Sequence, residues 1–96
     1  MTDNIMFTET NQSAMNYAVT FMYSFDDDAS VYLFETEEKA VDFLRTSFYE
    51  EVRINTEEKQ LDTEYSISED GKIARIVNYF DHGEDETIMI VGRIYQ

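Results

Sequence analysis

The N-terminal half of the chain contains two short segments with an alternating pattern. In each of them, aromatic or aliphatic residues alternate with smaller or polar ones. Residues 16–25 follow this pattern and place Val19 and Phe21 on the same face. A repeat of two residues with aromatic and β-branched members is typical of a strand. A second such segment, 30–35, comes after 26–29, whose aspartates suit a turn. The pattern therefore predicts an N-terminal β-hairpin.

One segment has the periodicity of an amphipathic helix. Thr36 is a suitable N-cap, and Glu37 and Glu38 suit the positive end of the helix dipole. With successive residues about 100° apart, the apolar positions that share one stripe are Ala40, Val41, Leu44, Phe48 and Val52. We expect a helix of about four turns, with this stripe packed against a sheet.

Three further strands are predicted in the C-terminal part of the chain. They cover 64–68, 73–80 and 87–95, and they are separated by the Asp-Gly turn at 69–72 and the acidic turn at 81–85. Short connections imply antiparallel pairing. The sequence thus predicts an α+β fold in the order ββαβββ, with an antiparallel sheet of about five strands and one amphipathic helix packed on one face.

The length and the pattern together indicate a single domain with a tail. A chain of 96 residues fits one domain. We interpret residues 15–96 as one α+β domain, because the patterned segments begin there. Residues 1–14 are mostly polar and lack a pattern, so they are predicted to form a flexible N-terminal tail.

Net charge is the most unusual property of the chain. Its 21 acidic and seven basic residues give a formal charge of −14 at pH 7, whereas a small soluble domain typically carries a charge of magnitude ~2–8. Such an excess disfavours direct binding to nucleic acid or to an anionic membrane, since both require a basic surface. It favours a basic protein as the partner, including a nucleic-acid-binding protein.

Residues that commonly carry catalysis or bind metals are scarce. The chain has no cysteine, a single histidine at His82 and three unclustered glycines, so we predict no catalytic site, no metal site and no cofactor. The acidic runs 26–28 and 84–86 lack the alternate spacing of a calcium-binding loop. No apolar stretch is long enough to cross a membrane and the N-terminus does not resemble a signal peptide, so a cytoplasmic protein is expected.

The candidate site consists of acids and tyrosines that we expect on turns or on the uncovered face of the sheet. A sheet covered by one helix leaves its second face free, and exposed aromatic residues with charged rims are common in interfaces. The residues assigned to partner binding are Asp26, Asp27, Asp28, Glu64, Tyr65, Tyr79, Glu84, Asp85 and Glu86. A second copy of the chain could occupy the same face and form a homodimer.

The predicted function is binding rather than catalysis, in one of two forms. In the first, an acidic protein imitates the phosphates of a nucleic acid and inhibits a basic protein. In size and charge the chain resembles the small phage or mobile-element inhibitors of the anti-CRISPR and anti-restriction type, which implies a host nuclease as target. The alternative is a small regulatory or immunity-type protein, or an uncharacterised domain, that binds through a tyrosine-rich sheet face. High salt should weaken only the first kind of binding.

Overall fold

Five antiparallel strands form one sheet in the computed structural model, which describes residues 15–94. The strands are β1 (Tyr17–Tyr23), β2 (Asp26–Phe34), β3 (Asp62–Ile67), β4 (Ile73–Phe80) and β5 (Gly83–Arg93). The helix α1 (Glu37–Arg53) follows β2 and continues into a π-helical turn (Ile54–Glu58). This order and the antiparallel pairing confirm the predicted ββαβββ α+β fold. The predicted flexible tail, 1–14, lies outside the described residues.

The sheet joins the N-terminal hairpin to the three C-terminal strands through one central pair. Its order is β2-β1-β5-β4-β3, so β1 pairs with β5 while β2 and β3 form the two edges. Val19 lies opposite Val91 in the central pair, and Ala74 lies opposite Met89 in the pair beside it. Because α1 connects the two edge strands, it crosses one face of the sheet and covers that face.

The predicted apolar stripe of α1 forms the helical side of the core. Thr36 Oγ1 accepts a hydrogen bond from the backbone N–H of Lys39 at 3.2 Å, which caps the first turn. The buried residues of α1 are Ala40, Leu44, Phe48 and Val52. They pack against Val19, Ala74, Ile76, Met89 and Val91 of the sheet. Burial of each large apolar side chain in this core contributes about 1.5–3 kcal/mol.

Two of the predicted turns are wrong in extent, because the strands reach further than their acidic composition indicated. The turn between β1 and β2 consists of residues 24–25, so 26–28 belong to β2. The turn between β4 and β5 consists of residues 81–82, so 84–86 belong to β5. An exposed strand end keeps carboxylates in water as well as a loop does, and acidic runs therefore do not mark the turns here.

Aromatic rings fill the covered face of the sheet on both sides of the helix. Phe43 of α1 lies 5.0 Å, between ring centroids, from both Tyr32 and Phe34 of β2. Phe48 of α1 lies 6.0 Å from Tyr65 of β3 by the same measure. The rings extend the core beyond the width of a single helix, which explains why so many aromatic residues alternate along these strands.

The other face of the sheet, which we call the open face, is aliphatic. The strand register places Met22, Val31, Leu33, Ile73, Ile88 and Ile90 on this face. Val31, Leu33 and Ile73 are each more than half exposed. Tyr79 is the one tyrosine of residues 15–94 found there. The prediction of a tyrosine-rich open face is therefore wrong for this part of the chain, because the rings are used to fill the covered face.

Candidate functional site

Acidic segments that are far apart in the sequence meet at one end of the sheet. Tyr23 pairs with both Asp26 and Thr87, and Tyr79 pairs with both Asp62 and Glu84. The turn between β1 and β2, the turn between β4 and β5 and the start of β3 therefore lie side by side. We call this region the acidic end, and its sheet carboxylates are Asp26, Asp27, Asp28, Asp62, Glu64, Asp81, Glu84, Asp85 and Glu86.

The last turn of α1 and the π-helical turn that leads into β3 bring further carboxylates to the acidic end, namely those of Glu50, Glu51, Glu57 and Glu58. Arg53 lies between two of them, with Nη2 at 2.6 Å from Glu50 Oε2 and Nη1 at 2.9 Å from Glu58 Oε2. The hydrogen bond from Arg53 holds the pKa of Glu50 below its ordinary value. These exposed ion pairs add little to stability, but they already engage the arginine.

On the open face of the acidic end, hydrogen-bonded charges surround a fully buried valine. Val77 lies between Glu64 of β3 and Glu86 of β5. The Tyr79 hydroxyl donates a hydrogen bond to Glu64 Oε1 at 2.6 Å, which raises the pKa of Tyr79. Arg75 Nε donates a hydrogen bond to Glu86. Ionised carboxylates only accept hydrogen bonds, so this surface suits the N–H groups of lysine and arginine side chains.

On the covered face, the acidic end contains a cleft of about 360 Å³ between the end of α1 and the sheet. The aromatic residues of its wall are Phe21, Tyr23, Phe25 and Phe80. Phe25 is 62% exposed and Phe80 is 40% exposed, so these two rings remain accessible to solvent. Glu51 and Asp85 bring carboxylates to the same cleft. A volume of this size with an apolar wall and a few polar groups is typical of a small-molecule site.

Asn55 is a buried polar residue in the wall of this cleft. It is only 1% exposed and follows Val52 by three positions, so it continues the buried stripe of α1 into the π-helical turn. Within residues 15–94, its side-chain Nδ2 has no hydrogen-bond acceptor. Sequence analysis missed both this residue and the cleft. A polar residue in phase with an apolar stripe was the signal that could have identified it.

Comparison with protein-family models, with curated proteins and with solved structures finds no match. The site is therefore interpreted from its own residues. Over residues 15–94, no group of histidine or acidic side chains is arranged to hold a metal ion. No helix in the same range is both long and apolar enough to span a membrane. His82 lies exposed in the turn between β4 and β5.

Most of the residues predicted to bind a partner come together at the acidic end, but they divide between its two faces. The open-face members are Glu64, Tyr79, Glu84 and Glu86. Asp85 pairs with Asn78 and lines the cleft on the covered face. The run 26–28 forms the start of the edge strand β2. Tyr65 lies on the covered face against Phe48 and is therefore separated from the open-face group.

Proposed function

We propose that this protein is a non-enzymatic binding protein whose acidic end engages a basic protein. The observation that supports the proposal most directly is the meeting of several acidic segments at one end of the sheet, as described above. A concentrated patch of one sign attracts an oppositely charged partner more strongly than the same charge spread over the surface. The partner that fits best is a protein with a basic groove, such as a nucleic-acid-binding protein.

In its sharpest form, the proposal is that the acidic end imitates a nucleic acid and inhibits the protein that it occupies. A nucleic-acid site recognises closely spaced negative charges through lysine and arginine. Carboxylates at the acidic end supply that pattern from rigid strands rather than from a loop, and preorganised groups lose less entropy on binding. Inhibition of the anti-CRISPR or anti-restriction kind would follow from blocking the groove of a nuclease.

Competition with DNA tests this proposal. Fluorescent duplex DNA is bound to a basic protein such as core histones, and the acidic protein is added at ~0.1 M and ~0.5 M salt. We expect it to displace the DNA, and to do so less well at high salt. Asp26→Asn combined with Asp27→Asn and Asp28→Asn should weaken the competition several-fold, because the variant removes charge from the acidic end.

A matched variant removes the same number of charges elsewhere. Glu38→Gln combined with Asp42→Asn and Glu69→Gln neutralises exposed acids on α1 and at the β3–β4 turn. We expect this variant to compete as well as the original protein. If both triple variants compete equally, binding depends on total charge alone, and the acidic end has no special role.

The aliphatic open face supports a second candidate function. Val31, Leu33 and Ile73 are 56%, 52% and 53% exposed, which is unusual for three large apolar residues on one sheet face. A regulatory or immunity-type protein that binds an apolar partner surface, or a second copy of the chain, would use this face. Such binding should persist at high salt. Val31→Ser combined with Leu33→Ser should abolish it, and sedimentation analysis would distinguish a homodimer from a monomer.

A further inference from the structure

We propose that the cleft beside α1 binds a small aromatic amide that is neutral or positively charged. The cleft lies on the covered face of the acidic end, and binding of a small molecule there does not require the basic partner proposed above. The ligand class follows from the walls of the cleft, from a buried amide without a partner, and from the charge at its rim.

The unpartnered amide indicates what the ligand must contain. Asn55 is 1% exposed, and no acceptor for its Nδ2 is present in the part of the chain that the structure describes. Buried side-chain polar atoms nearly always have a partner, and an unpaired one calls for an explanation. Because Nδ2 is a hydrogen-bond donor, the group that satisfies it carries an acceptor, such as a carbonyl oxygen.

The backbone around Asn55 holds the side chain in this position. Its own carbonyl oxygen accepts a hydrogen bond from the N–H of Leu61 at 2.8 Å, and that of Ile54 accepts one from Lys59 at 2.9 Å. Gln60, between them, adopts a left-handed φ of 55°. π-Helical turns and left-handed residues other than glycine are unfavourable and are frequent at functional sites. The turn thus satisfies the backbone carbonyl of Asn55, while the side-chain Nδ2 has no acceptor among the described residues.

The remaining walls select an aromatic ligand without negative charge. The rings of Tyr23 and Phe25 lie 5.2 Å apart between centroids and offer apolar surface for a planar ring. Glu51 and Asp85 can accept hydrogen bonds from an amide N–H or attract a cation. Lys59 also lines the cleft, but the two carboxylates outnumber it, and the chain as a whole carries a charge of −14, so the cleft disfavours an anion. A carboxamide supplies both the acceptor for Asn55 and the N–H donors for these carboxylates.

Four molecules that share one ring test this inference. 1-Methylnicotinamide is a cation with a carboxamide, nicotinamide is its neutral counterpart, nicotinate is the anion, and 3-methylpyridine lacks the carbonyl group. Each is titrated into the ¹⁵N-labelled protein, and the side-chain amide resonances of Asn55 are followed. We expect both carboxamides to shift these resonances, with the cation binding at least as tightly. Nicotinate and 3-methylpyridine should bind about tenfold or more weakly, which is the effect of one good hydrogen bond or charge contact.

Variants of the full chain localise the binding. Asn55→Leu should remove the preference for nicotinamide over 3-methylpyridine, since it removes the donor. Phe25→Ala should weaken nicotinamide binding several-fold without unfolding the protein, because that ring is 62% exposed. Ser66→Ala, on the open face, should leave it unchanged. The inference is overturned if neither carboxamide shifts the Asn55 resonances, if nicotinate or 3-methylpyridine binds as well as nicotinamide, or if Phe25→Ala has no effect.

Discussion

The two ends of the sheet carry acidic residues in different ways. Away from the acidic end, two carboxylates have a lysine partner: Lys72 Nζ, just before β4, lies 3.0 Å from Glu37 Oε2 of α1, and Lys39 Nζ lies 2.8 Å from Glu35 Oε1, four residues earlier. The hydrogen bond from Lys39 lowers the pKa of Glu35. At the acidic end the carboxylates far outnumber their basic partners. We call the first region the paired end.

The net charge of the chain is therefore distributed unevenly over its surface. At the paired end, basic residues link the β3–β4 connection to α1: Lys72 pairs with Glu37, and Arg45 donates a hydrogen bond to the Glu69 carbonyl. At the acidic end, repulsion between like charges destabilises the folded state. The same charges provide a surface that attracts cationic groups. This uneven distribution of charge is the reason why we propose the acidic end as the surface that binds a partner.

The largest expected change in stability comes from a substitution at Gly71, in the turn between β3 and β4 at the paired end. This residue has a φ of +75°, and an added Cβ would lie 2.8 Å from Arg45 Nε and 2.9 Å from Val41 Cγ1. Gly71→Ala should therefore displace the arginine that donates to the Glu69 carbonyl at 3.1 Å. We expect a loss of ~2–3 kcal/mol in the free energy of unfolding, combining left-handed strain with a steric clash.

Urea denaturation measures the change at Gly71, and Gly92→Ala is the matched control. A Cβ at Gly92 would meet nothing within 4 Å. That substitution should change stability by less than ~0.5 kcal/mol, as is usual at such surface positions. Equal effects of the two substitutions would contradict the role of the Gly71 turn in holding Arg45.

The next largest effect is an increase in stability, caused by a substitution at the acidic end. Asn55→Leu should raise the free energy of unfolding by ~1–2 kcal/mol, because it removes a buried donor that has no acceptor. Asn78 provides the comparison, since its Oδ1 accepts a hydrogen bond from Thr63 Oγ1 at 2.8 Å. Asn78→Leu removes the nearer acceptor of that hydroxyl and leaves it only the Leu61 carbonyl oxygen at 3.3 Å, so it should lower stability by up to ~1 kcal/mol. Thermal denaturation distinguishes the two, and a destabilising Asn55→Leu would show that the amide already serves the fold.

Sequence patterns predicted the fold because the core contacts that produce the periodicity are the contacts that build it. One hydrophobic core contains both the apolar stripe of α1, which consists of Ala40, Leu44, Phe48 and Val52, and the strand residue Val19. The turns were misplaced because acidic residues are equally soluble in a loop and at an exposed strand end, as residues 26–28 illustrate.

Other features depend on three-dimensional packing that no local pattern encodes. Alternation shows which residues of a strand share a face, but it does not show which face of the sheet the helix covers. Tyr65 was therefore predicted on the open face, whereas it lies on the covered face. The cleft exists because the end of α1 lies over the sheet with Asn55 turned inward. Spacing within the sequence reveals neither the pairing of distant strand ends nor the volume left between them.

A smaller effect tests the charge difference between the ends directly. The Asp26–Asp28 triple variant should raise the melting temperature at low salt, because it relieves repulsion between like charges at the acidic end. Glu35→Gln combined with Glu37→Gln should lower it, because each substitution leaves a lysine without its ion pair. Both changes should shrink as salt screens the charges. Melting temperatures that move in the same direction for both variants would remove the distinction between the ends.

The smallest expected effect is a change in the pKa of Tyr79, at the acidic end. The hydrogen bond from Tyr79 to Glu64, together with partial burial and the negative charge of that carboxylate, raises the pKa of the tyrosine. Because the pKa is higher in the folded state, the hydrogen bond stabilises the folded protein fully at pH values below the ordinary tyrosine pKa of ~10. This stabilisation is lost as the pH rises through the folded-state pKa. Glu64→Gln should lower the pKa of Tyr79, as followed by NMR of ¹³C-labelled tyrosine rings. Glu84→Gln should lower it less, because Glu84 acts only through its charge. An unchanged Tyr79 titration in Glu64→Gln would mean that the open-face network does not persist in solution.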